Sequence, residues 1–209
     1  MINIYLIRHG QTDWNVAGKI QGKTDIPLNE TGRRQAVCLA KGMAKRMAKR
    51  PVVQIFSSDL LRARETAGAI GDSQHVAVET LPGLEEIGFG KWEGMTLEEI
   101  QAAFPAEYEK WCENPVTVAP PGGESLSQIK DRCQKVMEEI LKRAKGDLAI
   151  VSHGAMLAYV VEYLMRNDPN DQEIIVGNAS ITTIRYEQES GRAVLIQAND
   201  QTHLAELTS

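Results

Sequence analysis

Short apolar runs alternate along this chain with longer segments in which apolar residues recur at three- and four-residue spacing. The runs Ile2 to Ile7, Val52 to Phe56 and Leu148 to Val151 are rich in β-branched residues and predict buried strands. A further short strand is predicted over Val76 to Thr80. Near the end of the chain, an antiparallel hairpin is predicted from Ile181 to Tyr186 and Ala193 to Gln197.

Helices are expected between these strands, where the spacing of apolar residues is helical. Asn29 is a predicted N-cap of a helix that ends before Pro51, and Ser57-Ser58-Asp59 is predicted to cap the next helix. Loops are expected over Trp14 to Asn29 and Leu84 to Gly94. Other helices are predicted over Thr96 to Trp111 with a break at Pro105, after the capping-box sequence Ser125 to Gln128, and from Ala155 to about Met165. This alternation predicts an α/β fold, a three-layer sandwich with helices on both faces of a mostly parallel sheet.

Three predicted strands end in polar residues that could carry chemistry. Arg8-His9 follows the first strand, Ser57-Ser58 the second and Ser152-His153 the one near residue 150. Right-handed crossovers bring such carboxyl ends to one edge of a parallel sheet, which is where ligands bind in open α/β folds. A surface pair would explain Arg8 and His9 alone, but two histidines in matching strand-end positions favour a shared site.

Composition and charge narrow the classes of function. The formal net charge of -5 argues against general nucleic-acid binding. No apolar stretch approaches the roughly 20 residues that span a bilayer. The N-terminal apolar run is too short for a signal peptide, and the three cysteines are widely separated. We therefore expect a single cytoplasmic domain over residues 1–209.

The histidines and one arginine suggest a phosphate site. Arg62 follows the Ser57–Asp59 cap, so helix N–H groups and a guanidinium fork could bind phosphate oxygens together. Alternatively, Arg62 could join Arg64 and Glu65 in a solvated charged face. The sequence has no His-Glu-x-x-His, no cysteine pair, no G-x-S-x-G and no P-loop. Zinc, serine-hydrolase and P-loop chemistry are therefore unsupported.

Phosphoryl transfer through histidine fits what remains. An imidazole nitrogen is a competent nucleophile at neutral pH, and Arg8, Arg62 and His153 could neutralise the phosphoryl oxygens. The leaving alkoxide needs a proton from a nearby carboxylic acid. The acidic loop supplies two candidates, Glu85 and Glu86, and the residues alone do not decide between them.

Several motifs together make the chain resemble the histidine phosphatase superfamily, in the branch that includes cofactor-dependent phosphoglycerate mutases and small-molecule phosphatases. These motifs are Arg8-His9-Gly10 with Thr12 and Asn15, Gln21-Gly22, Ser57 to Arg62 with Thr66-Ala67, Leu84 to Gly94, Pro120 to Ser125, and Val151 to Gly154. They occur in the family's order over most of the chain.

The resemblance implies a phosphoglycerate mutase-like fold in which His9 is phosphorylated and Arg8, Arg62 and His153 hold the phosphoryl group. It assigns the acid to Glu86, four residues before the first glycine of the Gly-x-Trp-x-Gly motif. Glu86 would then also activate the water that hydrolyses phosphohistidine. Neither a metal nor another cofactor is implied. The implied pocket residues are Thr12, Asn15, Gln21, Gly22, Ser57 and Gly154.

Two positions lie outside this motif set. Gln11 stands where the family usually has glutamate, and we expect it to tune the chemistry without abolishing it. His203, in the closing stretch Asn199 to Leu204, resembles part of the tails of some small-metabolite phosphatases. A packed or surface position is expected for His203 rather than substrate contact, and His75 is expected at the surface.

The organic half of the substrate is left open. A phosphomonoesterase acting on a small phosphorylated metabolite is favoured over a cofactor-dependent phosphoglycerate mutase, because Gly94 to Gly123 is compact and has Lys110 as its only basic residue. An inactive phospho-ligand binding module is a third alternative. Among phosphatases, the sequence resembles broad-specificity enzymes, α-ribazole phosphatase and metal-independent phosphoserine phosphatase. No nucleic-acid or membrane partner is expected, and a homodimer remains open.

Overall fold

One mixed six-stranded sheet runs through the computed structural model, which describes residues 1–166 and 174–207. The strand order is β3-β2-β4-β1-β5-β6. The first four strands in this order are parallel, and β5 and β6 pair antiparallel. The predicted strands and hairpin are confirmed. Their bounds are Ile2–Arg8 (β1), Gln54–Ser57 (β2), Val78–Thr80 (β3), Leu148–Ser152 (β4), Ile181–Tyr186 (β5) and Ala193–Asp200 (β6).

The helices follow the predicted order with one difference: the loop expected over Trp14 to Asn29 starts within a short helix that Thr12 caps. The second helix ends before Pro51, as predicted, and the predicted break at Pro105 separates two helices. Helix bounds are Asp13–Val16 (α1), Glu30–Arg46 (α2), Leu61–Gln74 (α3), Leu97–Ala103 (α4), Pro105–Glu113 (α5), Leu126–Arg143 (α6) and Gly154–Met165 (α7), with 3-10 helices at Gly90–Trp92 and Thr202–Leu207.

Two apolar layers enclose the sheet, which confirms the three-layer sandwich. Successive β1 side chains point to opposite faces, so Leu6 packs in the layer with α6 and α7, whereas Ile7 packs in the layer with α2 and α3. The capping box predicted at Ser125 is present and starts α6, whose Cys133 is buried in the first layer. Asn29 caps α2, as predicted, by accepting the Gly32 N–H.

The register of the parallel strands brings the predicted polar strand ends to one edge. Arg8 at the end of β1 lies beside Ser152 at the end of β4. Ser57 at the end of β2 lies beside Val151 of β4. The loops that leave β1, β2 and β4 therefore start side by side.

Two histidines lie away from this edge. His75 is exposed at the C-terminal end of α3, in the left-handed conformation with φ 55°. His203 is partly buried; its Nε2 is 2.8 Å from the Ala179 carbonyl oxygen, and it packs against Gly42 of α2. The packed position expected for His203 is therefore found. Across residues 1–166 and 174–207, no helix combines the length and apolar character needed to cross a membrane.

Candidate active site

His9 stands at the centre of the strand-end edge and is 2% exposed. Its N–H donates to the Ser152 carbonyl, which ties the residue to β4. The ring Nδ1 lies 2.7 Å from the Gly10 carbonyl oxygen, so Nδ1 carries the proton and donates it there. The lone pair is consequently on Nε2, which has no hydrogen-bond partner among the residues that the structure describes.

His153 has the opposite tautomer, with its ring proton on Nε2. The Arg62 Nε–H donates to His153 Nδ1 at 3.2 Å, so the ring proton must be on Nε2, which lies 2.8 Å from Ser58 Oγ. The centroids of the His9 and His153 rings are 5.1 Å apart. The structure therefore brings the two strand-end histidines together, as the matching positions predict.

Arg62 is fully buried behind the two rings. Besides His153, its guanidinium donates to the carbonyls of Gly22 at 2.7 Å and Thr24 at 2.9 Å. Burial lowers the pKa of Arg62 to about 10, against the raising effect of nearby carboxylates led by Glu86, so the side chain keeps its charge at neutral pH. Arg62 therefore does not belong to a solvated charged face, whereas its neighbour Arg64 is exposed.

Arg8 brings a second cation to the same place. Its Nη1 donates to the Val176 carbonyl at 2.7 Å, while its buried Nε–H has no partner in the described part of the chain. Burial lowers the pKa of Arg8 overall, and the opposing effect of the Glu86 carboxylate is smaller. A Cβ on Gly154 would lie 3.5 Å from the guanidinium, so this glycine borders Arg8 directly. The unpartnered Nε–H is a donor suited to an anionic oxygen.

The two carboxylates of the acidic loop have different surroundings. Glu86 accepts the N–H groups of Ala155 and Met156 in the first turn of α7, next to His153. Glu85 instead accepts the Gly83 N–H and contacts Arg132 of α6. The structure therefore groups Glu86 with the histidines and arginines and keeps Glu85 apart.

A side-chain network borders His9 on its other side. The Thr12 hydroxyl lies 3.1 Å from Asn15 Oδ1 and 2.9 Å from Gln21 Oε1, so both amide groups are oriented with their oxygens towards Thr12. Asn178 links this network to His9, because its Nδ2 donates to the His9 carbonyl and to Asn15 Oδ1. No motif in the sequence indicates Asn178.

Two predicted roles change when the side chains are located. Ser57, predicted to line the pocket, is buried and donates its hydroxyl to the Ser58 carbonyl, whereas Ser58 Oγ is the hydroxyl beside His153. The predicted cap of α3 is wrong. The carboxylate of Asp25, from the preceding long loop, accepts the Leu61 N–H at 2.6 Å instead. No local pattern links Asp25 to α3, because their proximity depends on the tertiary fold.

Gly22 and Gln11 are positioned by contacts with residues other than His9. Gly22 has φ 52°, and a Cβ there would overlap the Glu93 carboxylate, so its place is set by backbone geometry. Glu93 accepts the N–H groups of Lys23 and Thr24 and so fixes the segment that holds Arg62. The Gln11 side chain accepts from the Asn29 amide at the start of α2. It thus lies outside the phosphate-binding group, in agreement with a tuning role.

Burial and neighbouring cations keep both histidines neutral. Burial, followed by Arg62 and Arg8, lowers the pKa of His9 well below its ordinary value. Burial, followed by His9 and the same arginines, does the same to the pKa of His153. A neutral imidazole with a free Nε2 lone pair is the form that can act as a nucleophile.

Stability should therefore fall as pH drops below about 6.5, the pKa of an unperturbed histidine. In that range the unfolded chain binds protons on His9 and His153 that the folded chain excludes, so the free energy of unfolding decreases. Each histidine adds a slope of up to about 1.4 kcal/mol per pH unit. Denaturant titrations from neutral to mildly acidic pH should show a smaller slope for His9→Ala. His75→Asn, at the exposed α3 terminus, should keep the parent slope, and equal slopes for all three proteins would contradict the prediction.

The described residues hold no group of three or more His, Cys, Asp or Glu side chains arranged to bind a metal ion.

Comparisons with known proteins find relatives that are similar over nearly the whole chain. Phosphoserine phosphatase 1 of Hydrogenobacter thermophilus is 31% identical over 208 residues, which are 99% of this chain and 96% of that protein. A metal-independent phosphoserine phosphatase of Arabidopsis thaliana is 34% identical over 206 residues, 97% of this chain and 83% of that one.

The fold is also similar to that of a solved structure. A mycobacterial glucosyl-3-phosphoglycerate phosphatase superposes with a TM-score of 0.79 at 33% identity, covering 95% of this chain and 99% of the other. The model of the histidine phosphatase superfamily (branch 1) matches residues 4–199. The chain therefore belongs to the histidine phosphatase superfamily, branch 1.

Proposed function

We propose that this chain is a metal-independent phosphomonoesterase that hydrolyses a small phosphorylated metabolite through a phosphohistidine on His9. The observation that carries the proposal is the state of His9. Its Nδ1–H donates to the Gly10 carbonyl, so its lone pair is on Nε2, which has no hydrogen-bond partner in the described residues. Its pKa is lowered by burial and by Arg62 and Arg8. The shared activity of phosphatase-named relatives supports the same assignment.

In the first half of the reaction, His9 Nε2 attacks phosphorus and the ester P–O bond breaks. The departing alkoxide takes the proton of the Glu86 carboxylic acid, which leaves a neutral alcohol and a Glu86 carboxylate. The negative charge on the phosphoryl oxygens is balanced by the guanidinium groups of Arg62 and of Arg8, whose Nε–H is unpaired. The neutral His153 would donate its Nε2–H to a phosphoryl oxygen in place of Ser58 Oγ.

In the second half, water attacks the phosphorus of phosphohistidine. The Glu86 carboxylate accepts a proton from that water, the N–P bond breaks and inorganic phosphate leaves. His9 regains its neutral form, and Glu86 regains the proton needed for the next cycle. The same carboxylate thus serves as acid and then as base.

The pocket network offers donors for the rest of the substrate or for the phosphoryl group. Because the oxygens of Asn15 and Gln21 are turned towards Thr12, their amide nitrogens are oriented away from it. Neither nitrogen has a hydrogen-bond partner in the described residues. Both can therefore donate to a ligand oxygen, which gives Thr12, Asn15 and Gln21 a joint role in orienting the substrate.

Phosphate release from a panel of metabolites in the presence of a chelator tests the proposal. The panel should include phosphoserine, α-ribazole phosphate, glucosyl-3-phosphoglycerate and 3-phosphoglycerate. We expect turnover of at least one ester, at the same rate with and without chelator. Activity that a chelator abolishes and a divalent cation restores would refute the metal-free mechanism.

The same panel separates the alternatives. A mutase would interconvert 3- and 2-phosphoglycerate after priming and release little phosphate. A binding module would show ligand-dependent thermal stabilisation with no turnover of any ester. We expect turnover and not binding alone, because His9 with a free Nε2 lies close to Glu86, Arg8 and Arg62. We expect hydrolysis and not mutase activity, because Gly94 to Gly123 is compact and has Lys110 as its only basic residue.

A further inference from the structure

The acidic loop that presents Glu86 is held by side chains of other elements. Arg132 of α6 donates through Nη1 to the carbonyls of Gly83 at 2.9 Å and Glu85 at 2.8 Å, and through Nη2 to the Glu86 carbonyl at 3.2 Å. The Ser152 hydroxyl donates to the Leu84 carbonyl, which lies between those of Gly83 and Glu85, at 2.6 Å. Four successive carbonyls of the loop thus accept from side chains, and one arginine serves three of them.

Glu124 fixes the orientation of that arginine. It accepts from Arg132 through both carboxylate oxygens, from Nε at 3.2 Å and Nη2 at 3.0 Å, which is a two-pronged contact. Glu124 also accepts the Gly88 N–H, just beyond the acid, and pairs with Lys23. Burial raises the pKa of Glu124, but these donors outweigh it and lower the pKa overall, so the carboxylate is charged at neutral pH.

Arg132 therefore connects the loop with helix α7 and with the segment beyond the acid. The Arg132 side chain is only 17% exposed, and its Nη1 lies 4.0 Å from Met156 Sδ. Met156 is also the residue whose N–H donates to the Glu86 carboxylate. An arginine is required here because a lysine ammonium has no planar fork and cannot hold both the carbonyls and the carboxylate.

We propose that Arg132 is a positioning residue that sets the location of the Glu86 carboxyl group relative to the leaving-group oxygen. This inference rests on the proposed function, in which Glu86 is the acid. Arg132 itself contacts neither His9 nor any other phosphate-binding residue in the described part of the chain. Its charge contributes, after burial, His9, Arg62 and Arg8, to the lowered pKa of His153, an effect that both kinds of ester would share. The effect of Arg132 on the position of Glu86 passes through the loop.

The test compares Arg132→Met with the parent protein on two esters. An alkyl ester such as β-glycerophosphate needs protonation of its leaving group, whereas 2,4-dinitrophenyl phosphate does not. Because kcat/KM reports only steps through alcohol release, it isolates the contribution of the acid. We expect kcat/KM to fall about 10- to 100-fold for the alkyl ester, as for a catalytic group displaced by about 1 Å, and to change little for the activated ester.

The ratio of the two kcat/KM values in one sample does not depend on the fraction of folded protein. If the variant only folds poorly, both kcat/KM values fall by the same factor and their ratio keeps the parent value. An unchanged ratio would overturn the inference. Arg143→Met is the matched control, because Arg143 lies on the same helix, pairs with the exposed Glu79 and Glu139 and lies over the Phe56 ring, and none of these three residues belongs to the acidic loop. We expect it to keep the parent ratio.

A double variant gives an independent check. If Arg132 acts through Glu86, then Glu86→Gln with Arg132→Met should be no worse on the alkyl ester than Glu86→Gln alone. Additive losses would overturn the inference. Failure of the proposed function would be distinct, because the parent protein would then hydrolyse neither ester.

Discussion

His9→Ala should lower kcat for phosphate release by a factor on the order of 10⁴ to 10⁶, because no other described side chain offers a free imidazole nitrogen at this edge. His153, the nearest candidate, cannot substitute for it. Its Nδ1 accepts from Arg62 and its Nε2 carries the ring proton. Steady-state phosphate release with the best ester from the metabolite panel measures the loss.

The fold should survive this change. The His9 ring makes one hydrogen bond, to the adjacent Gly10 carbonyl, while the backbone of the residue stays paired with Ser152. Thermal unfolding of the variant should therefore remain cooperative. The matched control is His75→Asn, which removes a histidine at a left-handed position that asparagine tolerates. It should keep parent activity.

Trapping of the intermediate distinguishes a nucleophile from a residue that only binds phosphate. Rapid acid-free quenching with a labelled ester should leave label on the parent protein, in the peptide that contains His9. The His9→Ala protein should carry none. Substantial turnover by this variant, or label on another peptide, would refute the role of His9.

Glu86→Gln should lower kcat/KM for alkyl phosphates by about 10² to 10⁴, the usual contribution of general acid catalysis. Glutamine preserves the size of the side chain and can still accept an N–H from the first turn of α7, so the loop should keep its place. What it lacks is the acidic proton. The loss should therefore be much smaller for 2,4-dinitrophenyl phosphate.

Glu85→Gln is the control for this prediction, since it changes the same residue type one position away. Glu85 is held by the Gly83 N–H and Arg132, not by the helix that carries His153. Its replacement should leave kcat/KM for both esters close to the parent values. If Glu85→Gln proved the more damaging variant, the assignment of the acid would be wrong.

The strand-end pattern was the most informative part of the sequence. Apolar runs that break into Arg8-His9 and Ser152-His153 predict their own positions, because parallel pairing in register places the residue after each run at the same edge. Hydrophobic periodicity likewise predicted the succession of strands and helices along the chain. These features depend on local spacing and on one topological rule.

The contacts that complete the site depend on residues far apart in the chain. Asp25 caps α3 across 36 positions, Asn178 reaches His9 across 169, and Arg132 holds the Gly83 carbonyl across 49. Each belongs to a loop or an exposed helix face, where composition alone predicts a solvated side chain. The choice between Glu85 and Glu86 is of the same kind, because it depends on which carboxylate meets the α7 amides.

His9 and Glu86, the proposed nucleophile and acid, are attached to parts of the fold that differ in resistance to local opening. His9 and His153 leave β1 and β4, which are interior strands paired on both sides. The amides of such strands exchange with solvent only on global unfolding. Glu86 stands on a loop fixed chiefly by side chains, so its detachment requires far less unfolding. A partly opened molecule would thus still accept a phosphoryl group on His9 from an activated ester such as 2,4-dinitrophenyl phosphate but would release it slowly.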